Sequence, residues 1–165
     1  MAIVNSSQTA QIDRQLGEDG WYVITPGEIG KIRTSAADTN GAYTMLEVVA
    51  QPLNGVPVHI HTNEDEHFVI LEGTLHFAKG DVKLDAPAGS TVTVRKGVSH
   101  AWCNISDAPV RMLIIFSPGH VEDMFRAIMA GASQDELAAL TETFGTVITG
   151  PPMRDDIFSF LSPRQ

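Results

Sequence analysis

From Trp21 to Phe116 apolar residues come in short runs, many of them alternating with polar ones, and turn residues separate the runs. The pattern predicts strands at 21–24, 30–34, 43–49, 56–61, 66–71, 74–78, 82–84, 90–94, 101–103 and 110–116. Pro26-Gly27, the stretch 38–41 and the stretch 52–55 read as turns, and Lys79-Gly80-Asp81 as a tight hairpin turn. After Ser117 the period changes. Val121, Met124, Phe125, Ile128 and Met129 fall at i, i+3, i+4, i+7 and i+8, which predicts an amphipathic helix ended by Gly131. Ser133 followed by Glu136 is a capping-box match for a second helix carrying Leu137, Leu140 and Phe144 and stopped at Gly145. A Met and Phe stripe at this spacing reads as packing, so the helices are expected to act as a lid or buttress. The ends carry less signal: 9–16 reads as a short helix or an arm, and 146–165, with Gly150-Pro151-Pro152 and Phe158, reads as irregular. The class this predicts is an all-β sandwich or barrel over about 20–118, with helices and a tail over 119–165, in a single domain.

Composition narrows the partners. The 165 residues are 43% hydrophobic and 19% charged, an ordinary balance for a globular chain. No apolar run approaches the length of a membrane span, and the first residues lack the basic and apolar regions of a signal peptide. A cytoplasmic location is the expectation, and the single cysteine, Cys103, fits a reducing compartment. The formal net charge is −9, and the 11 basic residues are scattered singly, which argues against nucleic acid as a partner.

The candidate chemistry sits at Pro57-Val58-His59-Ile60-His61. Two histidines two residues apart on a strand face the same way. A polar stretch, 62–65, reads as a turn, so a hairpin is expected to fold Glu66 back beside His59 and His61. Two imidazoles and a carboxylate on one face suit a divalent metal. Downstream, Gly89, Gly97, His100 and Asn104 stand in a second cluster, where His100 follows a glycine turn and begins a short strand. Taken alone, His100 is more often a satisfied surface or core histidine than a ligand. Glu64 and Asp65 are rival carboxylates expected to face solvent in the turn. Alternation sends His67 and Cys103 to the opposite face from the site, the latter as a small buried hydrophobe. His76 reads as a solvated strand residue, and His120 lies where the first helix begins. Phe68, Ile70 and Trp102 are candidates for an apolar wall, and plain core packing explains them equally well.

These two segments resemble the paired motifs of the cupin superfamily. The first, His-X-His, then Glu, then Gly, is matched by His59, His61, Glu66 and Gly73; the second by Gly89, Gly97, His100 and Asn104. The resemblance covers about 56–104 by motif. Two positions depart from it: Leu53 stands where the family has a glycine, with Gly55 close by, and Arg95 where it has a proline. The resemblance implies a double-stranded β-helix, or jelly roll, with His59, His61, Glu66 and His100 as ligands to a divalent metal. It also implies a homodimer. The stretch after Ser117 is similar, more loosely, to that of monocupins likened to quercetin 2,3-dioxygenase.

Three neutral imidazoles and one carboxylate would suit Fe, Ni, Mn, Zn, Co or Cu, and residue type does not choose among them. Such a centre suits an enolate, phenolate or carboxylate oxygen of a small-molecule substrate. Glu66 has a second potential role, as the base that takes the substrate's hydroxyl proton. The leading expectation is a dioxygenase-type oxidoreductase acting on a small aromatic or enolic compound. The alternatives are a metal-dependent isomerase, lyase or hydrolase, and a non-catalytic small-ligand binder. A transcription-regulator sensor would need a DNA-binding helical module, and none is evident. The sugar-nucleotide epimerase type relies on a His, Lys and Tyr set that this motif pattern matches less well.

Overall fold

The computed structural model describes residues 19–153. Ten strands follow one another: β1 (Tyr22–Thr25), β2 (Glu28–Thr34), β3 (Thr44–Ala50), β4 (Pro57–His61), β5 (Asp65–Glu72), β6 (Thr74–Lys79), β7 (Val82–Pro87), β8 (Thr91–Val94), β9 (His100–Cys103) and β10 (Val110–Ser117). A short 3₁₀ turn leads into α1 (Glu122–Met129) and α2 (Gln134–Phe144), and an eleventh strand, β11 (Thr146–Pro152), ends the described chain. The strands form two antiparallel sheets, in the orders β1-β2-β3-β10-β5-β8 and β11-β4-β9-β6-β7. The chain passes from sheet to sheet in pairs, which is the winding of a double-stranded β-helix, as the sequence predicts.

Alternation fills the space between the sheets. Leu46, Val48 and Ala50 of β3, Phe68 and Ile70 of β5, and Val110, Met112, Ile114 and Phe116 of β10 point inward, and Leu75, Phe77 and Trp102 meet them from the other sheet. The register places Phe116 opposite Glu66, Ile114 opposite Phe68 and Met112 opposite Ile70. Glu66 therefore continues an apolar interior row. Strand β9 is buried on both faces. His100 and Trp102 face the barrel, while Ala101 and Cys103 pack behind it against Met153. The single cysteine is thus the small buried hydrophobe expected.

Three expectations are corrected. First, β4 and β5 do not form a hairpin, because they belong to opposite sheets. The loop between them carries the chain across the barrel, and Glu66 meets the histidines face to face. Second, residues 146–152 are not irregular: Thr146, Val147 and Ile148 pair antiparallel with His61, Ile60 and His59. The β-branched run 146–149 outweighs Gly150 and the prolines, which lie where the pairing shifts register. Third, Glu64 does not face solvent, as described below. The arm or helix expected at 9–16 and the end of the tail, including Phe158, lie outside the described residues.

The helices serve as the buttress. Met124 and Met129 of α1 join the core with Val121, and the Phe125 ring lies 5.3 Å from that of Phe116. Buried Glu122 ties α1 to the strands, accepting hydrogen bonds from Ala36 N and Thr44 Oγ1, both at 2.6 Å. Helix α2 starts on the predicted capping box at Ser133 and Glu136, and ends at Gly145, whose φ is +71°. Neither helix is long and apolar enough to cross a membrane.

Leu53 shows what became of the glycine missing from the first motif. Its φ is +62°, the left-handed conformation a glycine adopts without penalty, and its side chain is 75% exposed. A left-handed non-glycine costs about 1–2 kcal/mol, and a new glycine gives back about 0.5–1 kcal/mol of chain entropy. Leu53→Gly is therefore expected to stabilise slightly, seen as a small rise in Tm. Gly145→Ala, at a similar φ, is expected to lower Tm clearly, since its Cβ would lie 2.1 Å from Thr62 Oγ1. A fall in Tm for Leu53→Gly would show that position 53 is not strained.

Candidate metal centre

Strand alternation turns His59 and His61 of β4 inward, and β9 sets His100 directly opposite His59 in the ladder. Glu66 reaches them from β5 in the facing sheet. All four side chains are buried, and one ligand atom from each lies within 4.8 Å of the others. Ring centroids are 4.2 Å apart for His59 and His100, 5.0 Å for His59 and His61, and 5.7 Å for His61 and His100. Two of the imidazoles approach Glu66 through the same atom. Nε2 of His100 is 2.7 Å from Glu66 Oε2, and Nε2 of His61 is 3.5 Å from it. His59 holds its Nδ1 against the Pro57 carbonyl at 2.6 Å, and His100 holds its own against the Val98 carbonyl at 3.0 Å.

Local sequence explains why the two segments meet. Gly97, at φ +82°, donates its N–H to the His61 carbonyl, which binds the turn before His100 to the end of β4. Asp65 accepts from the Lys96 N–H at 2.9 Å and lies 3.4 Å from Arg95 Nε. Asn104 is no ligand: it is fully buried, and its side chain bonds Ala50 O, Ala108 O and the Ser106 N–H and hydroxyl. Its presence in the second motif reflects the loop it organises.

The electrostatics suit a cation. Burial alone would raise the Glu66 carboxyl, but the hydrogen bond with His100 and the three imidazoles around it hold it below its ordinary range. Burial lowers His59, and it lowers His61 to about 4 against the pull of Glu66. His100 moves the other way, because its bond to Glu66 outweighs the cost of burial. An ionised carboxylate inside an apolar barrel, faced by imidazole nitrogens, is a donor set of nitrogen and oxygen that fits a divalent transition metal. Bonds of about 2.0–2.2 Å place donors across one ion at most about 4.4 Å apart, so a small contraction of the observed cluster would close it.

The remaining candidates fall elsewhere. His67 lies on the outer face and bonds Thr93 Oγ1 at 3.1 Å. His76 is paired with Asp85 on β7 at 2.5 Å, so it is a held surface residue and not a site residue. His120 is exposed in the 3₁₀ turn. Phe68, Ile70 and Trp102 are core residues, whereas the aromatic beside the site is Phe116, its ring 5.3 Å from His61. Sequence reasoning misplaces one acid and misses another. Glu64 is 2% exposed, with Oε2 3.8 Å from His61 Nδ1, and burial pushes its carboxyl up to about 7. Glu28 of β2 is buried, its carboxyl accepts from the Thr25 hydroxyl alone among the described residues, and burial, with Glu66 adding to it, pushes it up to about 7. Glu28 shares the inward alternation of Gly30 and Ile32 on a strand that otherwise reads as polar, which is the signal available for it.

A family model described as a cupin domain matches residues 46–116. No curated protein matches the chain. Among solved structures it is similar to KdgF from Halomonas sp., at 16% identity over 64% of this chain and 91% of that one, with a TM-score of 0.56. It is also similar to an RmlC-like cupin from Shewanella frigidimarina, at 18% identity over 67% and 94% of the two chains, TM-score 0.56. The polyketide cyclase RemF from Streptomyces resistomycificus matches at 16% identity over 71% and 79%, TM-score 0.51. At these identities the likeness is one of fold.

Glu28 yields a prediction with a definite sign. Folded, it keeps its proton to about pH 7, whereas the ordinary value is 4.5. Between those values the native state binds the proton more tightly, so its contribution to stability falls as pH rises through that window and stays low above it. Glu28→Gln removes the loss. It is expected to stabilise by up to about 3 kcal/mol at pH 8, the worth of a shift of that size, and by little at pH 4.5. Urea unfolding at both pH values checks this, and an equal gain at both would contradict it.

Proposed function

We propose that the chain is a member of the cupin superfamily, whose domain model matches residues 46–116, that His59, His61, Glu66 and His100 hold a divalent metal ion, and that the protein is a metal-dependent enzyme of the dioxygenase type. The observation that carries this is the convergence of three imidazoles and one carboxylate inside the apolar barrel. A bound metal would supply an electropositive centre able to hold a deprotonated enol, phenol or catechol oxygen.

The chain's own residues do the rest. Glu66 is the one carboxylate in the cluster; the imidazoles around it hold it ionised, the state in which it can accept a proton from a substrate hydroxyl. Phe116, Ile114 and Met112 supply an apolar wall in line with Glu66, and Phe116 sits against the His61 ring. Such a wall suits a flat aromatic or enolic body and keeps water from competing for the donors. Phe125, packed on Phe116 from α1, closes that end of the barrel.

The same donors also serve a non-redox isomerase, lyase or hydrolase, and one of the fold relatives is named as a polyketide cyclase. Oxygen separates the two readings. Protein purified without a His-tag is expected to carry near-stoichiometric transition metal by elemental analysis, and His59→Ala/His61→Ala to carry none. Metal-loaded protein is then expected to consume oxygen with a flavonol, a catechol or a β-diketone. Turnover under strict anaerobiosis would move the assignment to non-redox chemistry. Absence of metal from the wild type, even after reconstitution, would leave a small-ligand-binding barrel.

A further inference from the structure

The Nδ1 atoms of the three imidazoles are held in different ways. In His59 and His100 the Nδ1 is clamped by the backbone carbonyl two residues upstream, Pro57 O and Val98 O respectively. For His61 the described residues offer side chains instead. Thr146 Oγ1 lies 3.3 Å from its Nδ1, and Glu64 Oε2 lies 3.8 Å from it. Glu64 belongs to the loop after β4, whereas Thr146 is the first residue of β11 and pairs with His61 in the ladder.

Glu64 Oε2 is buried and has no hydrogen-bond partner among the described residues. A buried polar atom left unpaired is costly enough to need a reason. Its neighbour supplies one. A histidine bound to metal through Nε2 carries its proton on Nδ1, and that N–H needs an acceptor; a carboxylate there fixes the ring and raises its basicity. We propose that Glu64 and Thr146 together receive the outward N–H of His61, which makes the C-terminal strand a working part of the metal centre. The proposal rests on the metal-binding reading above.

The attachment of that strand supports this division of labour. Thr62 donates from its N–H and its hydroxyl to Gly145 O, at 2.9 and 3.0 Å, and Asn63 Nδ2 donates to Phe144 O at 3.0 Å. The last carbonyls of α2 are thus fastened to the loop that carries Glu64. Gly145 permits the approach, since a Cβ there would overlap Thr62 Oγ1 and Asn63 Nδ2. The neutral carbonyls behind His59 and His100 orient their rings. The acid behind His61 makes it the most strongly donating of the three, and Glu64 and Thr146 are positioning residues.

The test measures metal affinity and metal-free stability side by side. Wild type, Glu64→Leu, Thr146→Val and Thr146→Ser are titrated with Co²⁺ and Zn²⁺ against a chromophoric chelator and melted without metal. Glu64→Leu and Thr146→Val are expected to weaken binding by about 10–100-fold, with Thr146→Ser restoring it. Metal-free Glu64→Leu is expected to melt at or above the wild type, because a buried unpaired carboxyl has been removed. Affinity and stability then move in opposite directions, which a merely structural role does not produce. Co²⁺ is further expected to slow hydrogen exchange at residues 144–149 in the wild type but not in Thr146→Val. Wild-type affinity in both variants, or losses matched by equal losses of metal-free stability, would overturn the proposal. If Glu64→Leu does not fold, the Val and Ser pair at 146 decides. A wild type that binds neither ion overturns the metal reading itself, a result distinct from wild-type binding that the variants leave unchanged.

Discussion

The structure turns on one buried charge. Glu66 stands in an interior row with Phe68 and Ile70 on its own strand, opposite Phe116 on β10, where alternation would otherwise place an apolar side chain. An ionised carboxylate there is tolerable only with close compensation, because its desolvation costs several kcal/mol. The compensation comes from the facing sheet, as His100 at 2.7 Å and His61 at 3.5 Å. Donors on two sheets can meet this way only if both sheets hold their register, since a one-residue slip of β4, β5 or β9 would turn its donor to the outer face. The apolar core is what enforces that register. Packing and site are therefore one constraint seen from two sides.

The same constraint explains the turns around the cluster. Gly97 bonds the His61 carbonyl, and Asp65 receives the Lys96 N–H, so each motif is stitched to the other before any side chain reaches the centre. Asn104 lies further out and locks the loop that follows β9 against Ala50. Leu53 takes a left-handed φ at the position where the motif has glycine. The backbone path is thus kept although the residue that makes it easy is absent, and the departure of Arg95 from proline leaves the Gly97 turn equally intact.

Much of this was legible in the sequence, and the failures have a common cause. The strand runs, both helices, the capping box at Ser133 and the Lys79-Gly80-Asp81 turn follow from local period and turn chemistry, and they stand where expected. The convergence of His59, His61, Glu66 and His100 follows from alternation together with the paired motifs. What local pattern does not carry is which strand pairs with which. A four-residue polar stretch reads the same whether it closes a hairpin or crosses between sheets, and so β4 and β5 were expected to pair. Glu64, polar and in that stretch, reads as solvated, but crossing the barrel buries it. Strand β11 was hidden for a related reason: Gly150 and two prolines read as irregular until a partner strand supplies the pairing for Thr146, Val147 and Ile148. Glu28 lies before the run predicted as a strand at 30–34 and becomes interior because β2 begins two residues earlier, where alternation turns it inward with Gly30.

Strand β11 shows why a ten-stranded barrel needs its appendage. Without it, β4 would be the outer strand of its sheet, and edge strands expose unpaired backbone groups and open at low cost. That would leave two of the four clustered donors on the least rigid strand of the molecule. Pairing of Thr146, Val147 and Ile148 with His61, Ile60 and His59 moves β4 inside the sheet, while Met153 covers Ala101 and Cys103 behind the strand that carries His100. The appended segment thus braces three of the four donors from outside, two through the ladder and one through packing. Sites held within fractions of an ångström need elements whose own rotamers and hydrogen bonds are locked. The helices α1 and α2 bring that brace around the barrel from the end of β10, and their packing against the core fixes where it lands.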